Sequence, residues 1–270
     1  MPVKISDDLK AFYLQEIKVW EDKIVEIKEK EKNLLQLARD YPEEAPIGHL
    51  ALADEMLNFA ICQIEIDKMA KEILNIKNEE ILNEARKNIN KSLSYLESVV
   101  TDFVDAPFSD YEENLEKIAS FDAEQRFALV EKVGKTLDLL KAGYGDNSKW
   151  KWSFVETDGR YAAITKNIFD LKKAVTNTDP RSPYYEPTLR HLQKVKVLLK
   201  HAADRYREKY EMSSNNIDDF RKGINFLRSL FRIHTLTGEK DNAAEVKKKH
   251  EIWKTKLETD IKNKKPPAKK

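Results

Sequence analysis

Tyr13, Ile17, Trp20, Ile24, Ile27, Leu34 and Ala38 recur at alternating spacings of four and three, and Glu31 fills the one gap in that register. A repeat of 3.5 residues sustained over four heptads is incompatible with a strand and demands a long helix with a single apolar seam. Ser6 is the natural cap, and Asp7 and Asp8 suit the positive end of the dipole, so the helix is predicted over residues 6–39. A glutamate in the seam favours packing along a neighbouring helix of the same chain over a free-standing coiled-coil dimer. Tyr41-Pro42 then breaks the ladder.

The rest of the chain repeats this grammar. Stripes at helical spacing run from Pro46 to Ile76, Glu79 to Phe103, Ser109 to Ala119, Asp122 to Gly143, Trp150 to Thr176, Pro187 to Tyr210, Asn216 to Gly238 and from Asp241 to Ile261. Asp122 with Gln125 has capping-box spacing. Seven glycines and nine prolines are too few to turn a sheet of this size. The expected fold is therefore all-α: an elongated antiparallel bundle or helical-hairpin array of about seven or eight helices without a sheet.

Charge divides the chain. Residues 1–135 hold 18 basic against 29 acidic side chains, a net of −11, and residues 136–270 hold 30 against 18, a net of +12. Gly143-Tyr144-Gly145-Asp146-Asn147-Ser148 lies near the change of sign. The expected organisation is an acidic lobe at 1–142, a flexible joint at 143–149, a basic lobe at 150–263 and a disordered basic tail at 264–270.

Within the basic lobe, Leu227, Leu230, Gly238 and Ala243 fall where a tetratricopeptide (TPR) helix pair places its two large residues, glycine and alanine. Residues 217–263 thus resemble one TPR hairpin. Lys247 and His250 depart from it, standing where an aromatic and a small residue are usual, and no 34-residue period recurs elsewhere. The resemblance implies a protein-binding surface.

Catalytic patterns are missing. None of His49, His191, His201, His234 and His250 has a glutamate three residues before it, and no His-x-x-x-His or Cys-His cluster occurs. His191 and His201 sit about 80° apart and ~15 Å along one helix, too far to share a metal. There is no nucleophile elbow and no glycine-rich phosphate loop. Cys62, the only cysteine, lies in the apolar run Phe59-Ala60-Ile61-Cys62 and reads as a small buried hydrophobe. No cofactor and no metal are expected, and the chain is expected not to be an enzyme.

Four aromatics stand out as interface candidates. Trp150 and Trp152 flank Lys151, an arrangement suited either to stacking on bases or to packing a joint. Tyr184 and Tyr185 lie in the proline-rich break at 177–187. The functional expectation is a structural or assembly protein acting through helical interfaces, a component of a filament, sheath or larger complex. The alternatives are a TPR-like adaptor or chaperone and, further off, a binder of nucleic acid or another anionic polymer through the basic half. The expected partners are proteins, possibly further copies of the chain; nucleic acid is an unlikely partner. No apolar run approaches membrane-spanning length. MPVKISDDLK lacks the apolar stretch of a signal peptide, so the expected location is cytoplasmic, or periplasmic or otherwise extracytoplasmic if a leader has been removed.

Overall fold

Helix α1 spans Asp7–Asp40, with the Ser6 hydroxyl accepting from the Leu9 amide at 3.3 Å. The computed structural model describes residues 5–145 and 148–264. Along α1 the seam residues Ile17 and Ile27 are buried, and Trp20 and Ile24 pack with Ile27 against Met56, Phe59, Cys62 and Tyr95. Glu31, the seam's polar member, pairs with Lys91, and Lys30 pairs with Glu55 at 3.3 Å. The heptad seam is thus closed within the chain, and its glutamate is satisfied by a cation from a neighbouring helix.

Helix α2, Ala45–Leu74, follows the Tyr41-Pro42 break and carries Pro46 in its first turn. Its apolar stripe rotates, and it packs against α1, against α3 (Glu79–Val99) and against α5 (Ala123–Tyr144). Leu52, Ala53, Met56, Leu57 and Ala60 are fully enclosed as a result. Asn75 ends α2 with φ 55°, a left-handed cap, and Asn78 caps α3 by accepting from the Ile81 amide at 3.1 Å. Short α4, Glu112–Lys117, precedes α5, whose start has both halves of the Asp122–Gln125 capping box. Arg126, buried, donates to the carbonyls of Phe121 at 2.7 Å and Ile118 at 3.1 Å, closing the turn between α4 and α5.

The second unit is built from α6 (Lys151–Asn167), α7 (Leu171–Asn177), α8 (Tyr185–Lys209), α9 (Ile217–Leu236) and α10 (Lys240–Lys264). A π-helical turn over Tyr210–Ser214 extends α8. Tyr206, Phe220, Phe226 and Trp253 centre the core; Tyr206 stacks on Phe226 at 5.6 Å, and Tyr210 stacks on Phe220 at 4.9 Å. Gly159 makes the α6–α8 approach possible: a Cβ there would lie 2.7 Å from the Tyr206 ring. Helices α9 and α10 form a hairpin, with Gly238 at φ 74° just past α9. Leu227, Leu230 and Ala243 are buried in it, Lys247 is exposed and His250 is half-buried.

Among the described residues all regular structure is helical, and no helix is long and apolar enough to cross a membrane. The described α-helices number ten rather than seven or eight. The helix expected at 150–176 is two: Ile168 and Phe169 turn into the core, and Asp170 caps α7 by accepting from the amides of Lys172 and Lys173 at 3.1 and 3.0 Å. Helix α3 stops at Val99, short of Phe103. Residues 1–101 and 112–150 form one unit; residues 102–111 and 151–270 form the other. A segment from the acidic stretch therefore belongs to the unit built from the basic one. Of the joint at 143–149, Gly143 and Tyr144 finish α5, and residues 146 and 147 lie outside the described residues. In the tail, Lys264 closes α10 and residues 265–270 lie outside the described set.

Candidate functional site

The four aromatic candidates occupy different surroundings. Trp150 ends the first unit, where the Arg86 guanidinium lies 4.1 Å from its ring centroid and the Tyr144 ring 6.2 Å away. The Tyr144 hydroxyl donates to Asn83 at 2.7 Å, and Lys71 and Lys77 donate to the carbonyls of Gly143 and Tyr144 at 2.8 Å each. Two ammonium groups on the last carbonyls of α5 satisfy the negative end of that helix. Trp150 is thus part of the fastening of α5 to α3, with a cation already on its face. Trp152 belongs to the second unit, half-buried against its core with Lys151 at 5.0 Å and Arg205 at 5.8 Å. Tyr184 and Tyr185 are half-buried at the start of α8, where the Ser182 hydroxyl accepts from the Tyr184 amide at 3.2 Å.

Two surfaces that the aromatic pattern did not mark carry more of the exposed apolar area. The first is the outer side of α1. Phe12, Val19 and Leu37 are 50%, 53% and 53% exposed. At 100° per residue they fall within about 20° of one another, roughly 110° from the seam, in a stripe ~38 Å long. Leu14 and Val25, 59% and 65% exposed, lie on the opposite flank. Such a helix has one face spent on α2 and two flanks still apolar.

The second is a groove in the second unit, about 750 Å³ in volume, between α7, α8 and the α9–α10 turn. Phe169, Leu171, Ala174, Leu189, Leu192 and Leu236 give it an apolar lining. Its polar edge is centred on Glu239, which pairs with Lys196 and accepts from His234 Nδ1 at 2.7 Å, Asn242 at 3.0 Å and Thr237 at 3.2 Å. The Lys196 ammonium foremost, with Asn242 and His234, holds the Glu239 carboxyl down at about 2 against the opposing effect of burial.

Residues 9–261 match the TP0443 family. The chain belongs to the TP0443 family. No curated protein and no solved structure matches it. The family match takes in α1 from Leu9 onward and both units of the fold, so the α1 stripe and the groove both lie inside the family region.

Among the described residues no three His, Cys, Asp or Glu side chains are grouped to hold a metal ion. Cys62 is buried, and burial pushes its thiol up, away from the thiolate form that reacts. His191 is buried, with Nε2 2.9 Å from the Thr165 carbonyl and its ring edge-on to Phe169 at 5.0 Å, a structural setting. Among the described residues Lys166 is the one amine pushed far from its ordinary range, down to about 8, first by burial and then by Arg232, with Asp105 and Asp110 opposing. Its ammonium already donates to the Ala106 carbonyl at 2.9 Å.

Proposed function

We propose that the chain is a non-enzymatic structural or assembly protein, built as an array of helical hairpins and working through helix-to-helix interfaces with protein partners, further copies of itself included. The observation that carries this reading is the stripe of Phe12, Val19 and Leu37 along a 34-residue helix whose seam face is already packed. Three large apolar side chains in register along ~38 Å of helix suit a second helix laid beside the first. The replacements Phe12→Glu and Val19→Glu together test it. Both side chains are half exposed, so the double variant keeps its circular dichroism and melting temperature. Affinity capture from native cells, read by mass spectrometry, should recover defined proteins with the natural chain and lose them with the double variant. Identical recovery by the two chains would overturn the reading.

The groove between α7 and α8 favours a second reading, an adaptor that seats the apolar face of a partner's helix. It supports recognition because apolar lining is joined to one fixed polar cluster at Glu239, the usual composition of a specific pocket. Leu236→Asp at its rim, where the side chain is 67% exposed, abolishes capture under this reading and leaves it intact under the first.

A further inference from the structure

The stripe on α1 extends beyond its three large apolar members. Glu16, Lys23, Glu26, Lys30 and Asn33 fill the intervals between Phe12, Val19 and Leu37, so spacings of four and three alternate unbroken from residue 12 to residue 37. At 100° per residue these positions share about 100° of arc, and every one of them is exposed. This is a second heptad seam on a helix whose first seam is already closed by Met56, Phe59 and Tyr95. An apolar residue stands at each end of it, with charges of both signs between.

The order of these residues is self-complementary about a point between residues 24 and 25. An identical helix laid antiparallel, with a twofold axis at that point, sets Phe12 against Leu37 of the second copy, Glu16 against Asn33, Val19 against Lys30 and Lys23 against Glu26. The twofold axis makes each pair occur twice. An apolar pair closes each end, Glu16 accepts from the Asn33 amide, and opposite charges meet at the axis. The Lys30 ammonium keeps its bond to Glu55 of its own chain at 3.3 Å while its methylene stem covers Val19. At one edge Asp22 comes beside Glu29, and Lys18, 2.9 Å from Asp22, offsets that like charge.

Other arrangements of two α1 helices fail on charge. A parallel pair in register opposes like to like at Glu16, Lys23, Glu26 and Lys30. An antiparallel pair slid by one heptad in one direction opposes Glu16 to Asp40 and leaves Phe12 past the end of the facing helix. Slid in the other direction, it opposes Glu16 to Glu26. The seam thus selects one orientation and one register by repulsion as well as attraction.

We infer that the occupant of this seam is a second copy of this chain, bound antiparallel through α1 in a reversible dimer. The inference rests on the reading of α1 as an interface and names its partner. More than half of the facing positions are polar, which places the contact among transient rather than permanent ones.

Exchanging the charges at the axis tests it. Lys23 and Glu26 are exposed, so Lys23→Glu, Glu26→Lys and the double replacement keep the fold, as circular dichroism checks. Sedimentation equilibrium of the full chain at about 0.15 M salt should show a concentration-dependent dimer. Each single replacement turns two attractions into two repulsions and should weaken the dimer about tenfold. The double replacement rebuilds both pairs with the signs exchanged and should return the natural affinity. Attraction between the acidic and basic units would instead move the two single variants in opposite directions, because one adds acid to the first unit and the other adds base. A monomer at every concentration, single variants that move apart, or a double variant as weak as the singles would overturn the second copy as occupant. If the Phe12→Glu, Val19→Glu chain still loses its captured proteins in that event, the α1 interface stands and its partner is a different protein.

Discussion

The Ser229 hydroxyl donates to the Val104 carbonyl at 2.9 Å, joining two positions 125 residues apart in sequence. Ser229 is 1% exposed, so water cannot replace it. Ser229→Ala leaves the part-buried Val104 carbonyl without its donor, which costs about 1–3 kcal/mol. Urea unfolding should show this loss with an unchanged slope. A variant as stable as the natural chain would mean that residues 103–106 are held by their other bonds, from Asn167, Arg232 and Lys166.

Lys166 gives the second unit a pH dependence with a definite sign. Its folded value of about 8 lies below the ordinary 10.5. Below pH 8 the folded chain carries a buried charge at a cost. From 8 towards 10.5 the unfolded chain binds more protons than the folded one, so stability rises with pH. Above pH 10 the buried phenols of Tyr111 and Tyr206, both pushed up mainly by burial, reverse the trend, because the unfolded chain then loses protons first. Between pH 7.5 and 9.5 the natural chain should gain about 1–2 kcal/mol relative to Lys166→Met. Paired denaturation curves at the two pH values check it; a constant difference between the chains would remove Lys166 as the cause.

Glycines at 48 and 159 should respond to alanine with opposite signs. At Gly48 an added Cβ meets only the Ala38 Cβ at 3.8 Å, ordinary contact, so the helix gains roughly 0.5–1 kcal/mol. At Gly159 the new Cβ lies 2.7 Å from a Tyr206 ring that is buried, stacked on Phe226 and bonded to Glu156 at 3.1 Å. That ring has nowhere to move, and overpacking costs about 1–3 kcal/mol, more than helix propensity returns. Thermal melts of the two variants decide it, and stabilisation at both positions would contradict the packing described.

The helices were legible wherever their signals are local. Ser6 and Asp122 with Gln125 both read as caps, and each accepts its amide three residues on. The heptad in α1 and the rotating stripe in α2 are periodicities within one segment, and both faces found neighbours. What escaped reading depends on distance in sequence. Ile168 and Phe169 interrupt the helix expected at 150–176 because a core made by α8 and α9 pulls them inward. The hold on residues 103–106 leaves no local signal because the partners of their carbonyls lie 60 to 127 residues further on. The groove is assembled from three separated helices, none of which shows it alone. Trp150 and Trp152 drew the eye as a pair, yet they serve different units.

The two units carry opposite charge, and this sets the last prediction. Residues 1–101 and 112–150 hold 20 basic and 28 acidic side chains, a net of −8; the remainder hold 28 and 19, a net of +9. Opposite units of different copies attract at low ionic strength. The attraction between exposed groups is screened beyond about 10 Å at 0.1 M salt and ~3 Å at 1 M. Sedimentation velocity should therefore show concentration-dependent association at low salt that fades by ~0.5 M, where the screening length has shrunk to about 4 Å. The same series separates two contacts. Charge pairing between units disappears with salt. Apolar contact along Phe12, Val19 and Leu37 survives salt and is lost in the Phe12→Glu, Val19→Glu chain. A single monomer boundary at every salt and concentration would remove self-association altogether and leave the groove at α7 and α8 as the surface on which this chain meets other proteins.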